Sequence, residues 1–151
     1  MRNLSRIALL ACLFTASGLA GQAVAAQHIS GPVTATIIRI VDGDTMLVDA
    51  EPWPQQIMRV YVRLRGIDAP EKRSKCSAMR AAGARAQTAL AEMTAASPTI
   101  TLIDISGDKY FGRIVADVVL NDGQGLSDKL LQAGLVRPYD GGRKLKLACT
   151  L

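Results

Sequence analysis

Residues 58 to 65 alternate strictly: Met58, Val60, Val62 and Leu64 are apolar, while Arg59, Tyr61, Arg63 and Arg65 are polar or cationic. Successive side chains of a strand point to opposite faces. The pattern therefore predicts a strand with one face in a core, and a row of cations and a tyrosine on the other. The segments before it are also β-rich. Val33 to Val41 is a β-branched run, and Asp42-Gly43-Asp44 turns it into a second strand beginning at Thr45 to Val48. Glu51-Pro52-Trp53-Pro54 reads as a loop, because two prolines close together do not suit an interior strand.

From Ser77 to Ala96 the period becomes helical. Met79, Ala82, Ala86, Leu90 and Met93 recur three or four apart, and Ser97-Pro98 ends the run. Thr99 to Asp104 and Arg113 to Leu120 are two further strands. The Asn121-Asp122-Gly123 turn follows, then a short helix from Leu126 to Ala133 stopped by Gly134. Five strands with a helix after the third predict a mainly β chain with inserted helices. A small closed β-barrel of the oligonucleotide-binding (OB) type suits them better than a sandwich or a parallel α/β sheet. A length of 151 residues leaves room for one such domain.

The first 26 residues follow another pattern. Arg2 and Arg6 flank the start of an apolar run, Ile7 to Ala16, and Ala23-Val24-Ala25-Ala26 offers small residues to a peptidase. A signal peptide cleaved near Ala25 or Ala26 is expected, leaving a single domain over 27–151. An uncleaved anchor is the alternative, disfavoured by the short apolar run. A lipobox at Leu9-Leu10-Ala11-Cys12 would leave almost no apolar core. The expected product is an exported monomer, periplasmic or secreted, with no stable membrane association.

Loss of the leader removes two of the 18 Lys/Arg and none of the 13 acids, lowering the net charge from +5 to about +3. That suits a polyanionic partner without requiring one. Cys76 and Cys149 remain, and in an oxidising compartment they can pair; two free thiols are the alternative. The only histidine, His28, lies beside the cleavage site, where a frayed end is expected. A histidine base or histidine-ligated zinc is thereby disfavoured. Hydrolytic chemistry would fall to carboxylates and arginines.

Three stretches carry such groups in order: Asp42-Gly43-Asp44-Thr45, Arg63-Leu64-Arg65-Gly66-Ile67-Asp68-Ala69-Pro70-Glu71, and Asp108-Lys109-Tyr110-Phe111-Gly112-Arg113. Singly each is an ordinary turn or strand exit. Together, over about residues 33 to 139, they resemble the thermonuclease (staphylococcal nuclease-like) family. The resemblance implies that Asp44, Asp68 and the Ala69 carbonyl bind Ca2+, with Asp42 supporting the site. It implies that Glu71 is the general base or orients the attacking water, and that Arg63 and Arg113 hold the scissile phosphate. Tyr110 and Tyr139 become candidates for nucleotide stacking. Ala69 stands where the best-known member has threonine, Phe111 is an extra residue in its turn, and no long helix is expected after Gly141-Gly142.

These residue types suit the chemistry on their own terms. Calcium takes oxygen ligands, and planar guanidiniums pair with phosphate in bidentate fashion. The expected function is a calcium-dependent phosphodiester hydrolase, an endonuclease acting on DNA, with RNA as a second candidate, leaving 3′-phosphate ends. A non-catalytic OB module binding oligonucleotide or protein is the alternative.

Overall fold

The computed structural model describes residues 27–142 and 149; the expected leader lies outside the described residues. In chain order the strands and helices are β1 (His28–Ile29), β2 (Val33–Asp42), β3 (Thr45–Trp53), β4 (Gln56–Leu64), β5 (Ile67–Asp68), α1 (Ser77–Ala95), β6 (Thr99–Gly107), β7 (Arg113–Val119), α2 (Leu126–Gln132) and β8 (Arg137–Pro138). Strands β2, β3 and β4 form an antiparallel meander. Strand β6 pairs antiparallel with β2, and β7 pairs with β6 antiparallel and with β4 in parallel. That last pair closes a mixed five-stranded barrel, the predicted OB-type architecture. Among the described residues no helix is long and apolar enough to cross a membrane.

The alternation of β4 explains how the barrel fills. Val60, Val62 and Leu64 are buried and meet Met46, Val48, Leu102 and Val118 from other strands. Leu90 of α1 and Leu126 and Leu130 of α2 join the same core, each fully buried. Full burial of such a side chain contributes roughly 2 kcal/mol. Gly134, at φ 67, ends α2 as expected, with its N–H and that of Leu135 donated to the carbonyls of Leu131 and Leu130.

Four local expectations are corrected. Met58 is half exposed, although its cross-strand partner Ala50 is buried in the core. Residues 51–53 belong to β3 rather than to a loop; Pro52 sits where the β3–β4 register is irregular, between Ala50 and Trp53. His28 is not frayed, since β1 pairs with β6 and the imidazole bonds to Asp104. On α1 the expected Ala86 and Leu90 are buried and Met93 packs against the core, but Gly83 and Thr94 are buried in place of Met79 and Ala82.

The burial of Gly83 follows from α1's neighbours. A Cβ on Gly83 would lie 2.6 Å from the Pro70 carbonyl and 2.8 Å from the Lys72 nitrogen. One on Gly43 would lie 2.6 Å from the Ala86 methyl and 2.8 Å from that of Ala69. The smallest face of the helix is therefore turned onto the two turns that carry the acids.

Candidate functional site

Asp44 ends the turn between β2 and β3 and is 4% exposed. A carboxylate so placed needs partners, because burying an unpaired charge costs several kcal/mol. Its Oδ1 accepts the Thr45 hydroxyl at 2.8 Å, and its Oδ2 accepts Arg63 Nη1 at 2.7 Å and the Ala69 N–H at 3.1 Å. Asp68, on β5 and 2% exposed, accepts Arg63 Nη2 on Oδ1 at 3.2 Å. One guanidinium thus bridges both carboxylates, and it also donates to the Ile67 carbonyl at 3.2 Å. Burial works against the Arg63 charge, but Asp44 and Asp68 prevail and hold its pKa above the usual arginine value.

Around this bridge lies a cleft of about 750 Å³, lined by Asp42, Asp44, Arg63, Glu71 and Arg113, with Tyr110 and Tyr139 on its walls. Asp68 is not among the lining residues; it sits behind Arg63. Burial, then the nearby Asp44, pushes the Asp42 carboxyl up from its usual range, with Lys72 partly opposing. The Lys72 ammonium donates to the Val41 carbonyl and to Gln87 Oε1, tying the Glu71 loop to β2 and α1. Glu71 itself is exposed, and its Oε1 accepts the Arg73 N–H at 2.9 Å. The short loop therefore gives the carboxylate a local anchor and leaves it open to solvent.

Arg113 reaches the cleft from the start of β7. Its Nε donates to Asp108 Oδ2 at 2.6 Å, and its guanidinium lies 4.6 Å from the Tyr110 ring centroid. Burial opposes the Asp108 charge, yet the Arg113 bond and charge keep its carboxyl below the ordinary range. Arg63 stacks in turn against Tyr139 at 5.8 Å. Each arginine is thus steadied by one acid or more and by one ring. By contrast, Arg65 has a structural role: its Nη2 donates to Ser106 at 3.0 Å and to the Val115 carbonyl at 3.1 Å.

Arg137 was not foreseen. Its Nη2 donates to Asp68 Oδ2 at 2.8 Å, because the two-residue strand β8 pairs with β5 and sets Arg137 opposite Asp68. No period or motif marks so short a bridge. The nearest signal was an arginine just beyond the glycine that stops α2.

The donor set fits a hard divalent ion in part. Asp44 and Asp68 are near enough for both to touch one cationic group, and Ala69, whose N–H is bonded to Asp44, lines the same cleft. Among the described residues, however, no three or more His, Cys, Asp or Glu side chains converge as a metal cluster. An ion here would need carbonyl and water oxygens to complete its shell.

A disulfide joins Cys76 to Cys149, with Cα atoms 5.7 Å apart. Cys76 caps the start of α1, just beyond the Glu71 loop.

No curated protein matches the chain. A family model described as "Staphylococcal nuclease homologue" matches residues 61–146, more than half of the sequence, taking in Arg63, Asp68, Glu71 and Arg113. Asp42 and Asp44 precede that span and are joined to it by the Arg63 bridge. With an OB-type barrel and a matched span of this extent, the chain belongs to the staphylococcal nuclease homologue family.

Proposed function

We propose that this protein is a calcium-dependent phosphodiester hydrolase, an endonuclease that cuts DNA, with RNA as the second candidate substrate. The observation that carries the reading is the pairing of Asp44 and Asp68 through Arg63 at a cleft also lined by Glu71 and Arg113. Asp44, Asp68 and the Ala69 carbonyl would hold the ion. When bound, it supplies Lewis-acid polarisation of the phosphate and a site for water.

The side chains do the rest. Arg63 exchanges carboxylate oxygens for phosphate oxygens as substrate enters, keeping its place beneath Tyr139. Arg113, oriented by Asp108, pairs with the phosphate from the other strand and opposes the charge that grows on its equatorial oxygens. Glu71, on its anchored loop, orients the attacking water and takes its proton. Attack of the water oxygen on phosphorus breaks the bond to the 5′-oxygen, which takes a proton from solvent and leaves as a hydroxyl, and the other product carries a 3′-phosphate. Residues 1–26 are read as a cleaved leader and the mature protein as an exported monomer, periplasmic or secreted; the Cys76–Cys149 disulfide suits an oxidising compartment.

A second reading has its own support. Arg63 and Arg137 already satisfy the acids, and no larger ligand cluster is found among the described residues. Such a barrel could bind oligonucleotide without cutting it. Incubating single-stranded DNA with the protein, in calcium or in chelator, separates the two. Cleavage is expected in calcium alone, and cleavage in both or neither would defeat the calcium-enzyme reading. Glu71→Gln is expected to lower turnover about 10²–10⁴-fold with binding kept.

A further inference from the structure

We infer that Phe111 is a nucleobase-stacking platform at the rim of the cleft, giving the chain its grip on unpaired bases. The inference rests on the nuclease reading and names the part of the substrate that the phosphate-binding arginines do not reach. An isolated exposed apolar side chain is ordinary. Phe111 differs by its degree of exposure and by its setting. Its relative exposure is 108%, the highest among the large apolar residues described.

Phe111 stands at the tip of the β6–β7 loop, between Tyr110 and Gly112. Gly112, at φ 80, adopts a conformation that side-chain-bearing residues rarely take, and it returns the chain directly into Arg113. Lys109, Tyr110 and Arg113 all line the cleft, so the tip projects at its edge. The loop is braced: Asp108 N–H donates to the Arg113 carbonyl at 3.1 Å and Arg113 N–H to that of Tyr110 at 3.2 Å, beside the Arg113–Asp108 ion pair. A platform held in this way loses little freedom when a ligand lands on it.

The adjacent aromatic is already engaged. Tyr110 has the Arg113 guanidinium 4.6 Å and the Lys109 ammonium 5.1 Å from its ring centroid. Phe111 is the ring this loop leaves uncovered, next in the chain to a tyrosine that already carries two cations able to meet the phosphates of a bound strand. Every base has a π face, so the contact tolerates any sequence. In a duplex those faces are covered by neighbouring pairs, so the contact requires an unpaired nucleotide.

The test measures anisotropy of a labelled 12-nucleotide single strand and of an abasic strand of equal length. Both are titrated in chelator with strand integrity checked on a gel. Wild type should bind the base-bearing strand more tightly. Phe111→Ala should raise its Kd about tenfold, while leaving the abasic strand unaffected. Phe111→Trp should keep wild-type affinity, whereas Phe111→Leu, apolar without a π face, should behave as alanine does. Equal losses on both strands, or none on either, would overturn the stacking role and leave the nuclease reading standing. If wild type bound neither strand, this inference would fall, while the digestion in calcium or chelator would still decide the nuclease reading.

Discussion

Arg63 ties the two buried acids of the site to one another. Its side chain is 14% exposed, and it separates two carboxylates that are 5% and 2% exposed. Removing one partner of a buried ion pair leaves an uncompensated charge, and that loss outweighs the pair's own net worth. Arg63→Ala should therefore destabilise the chelated protein by about 3 kcal/mol, read by urea unfolding. Calcium should restore part of that loss, because a divalent ion would answer the same two charges. Stability insensitive to calcium in this variant would count against Asp44 and Asp68 as ligands. Arg137 offsets Asp68 from the far side. Phe111 belongs to the same scale: its surroundings, rather than its apolarity alone, give it a role.

At the scale of elements, α1 is the spacer that sets Glu71. The helix has no side-chain cap at its start, and its role comes from the bare surface at Gly83 and Ala86. Gly83→Ala would drive a methyl into the backbone of Pro70 and Lys72, the residues on either side of Glu71. Overpacking of this kind costs about 1–3 kcal/mol where backbone has to yield. The expected signature is a kcat lowered about tenfold with oligonucleotide Kd unchanged, since misplacing a catalytic group by an ångström is enough for such a loss. Equal changes in kcat and Kd would mean general disruption instead. Helical periodicity in the sequence located α1 and the Ala86, Leu90 and Met93 part of its inner face; it passed over Gly83, because a count that weighs apolar side chains gives a bare backbone no weight.

For the whole molecule, the Cys76–Cys149 bond spans a sequence separation of 73 residues and ties the chain's end to the start of α1. Closing a loop of that length removes freedom from the unfolded chain worth roughly 4 kcal/mol. Reduction of wild type and the double variant Cys76→Ser/Cys149→Ser should lower the unfolding free energy by similar amounts in urea. Reduction with no effect on the midpoint would show that the bond adds nothing. Barrel closure through the parallel β4–β7 pair is the other long-range constraint, and it brings Arg63 of one strand beside Val115 of the next.

What the amino-acid order determined by itself was local and periodic. Alternation in β4 announced a half-solvated strand, glycine and asparagine turns marked its neighbours, and the ordered acids and arginines pointed to the family. Those signals survive because each arises from residues within a turn or two of one another. Tertiary structure alone decided the remainder: that Arg63 spans Asp44 and Asp68, that Arg137 backs Asp68 through a two-residue bridge, and that Met58 is left half exposed. These depend on where distant segments come to rest, and a pairing between residues 69 positions apart leaves no periodic trace along the chain.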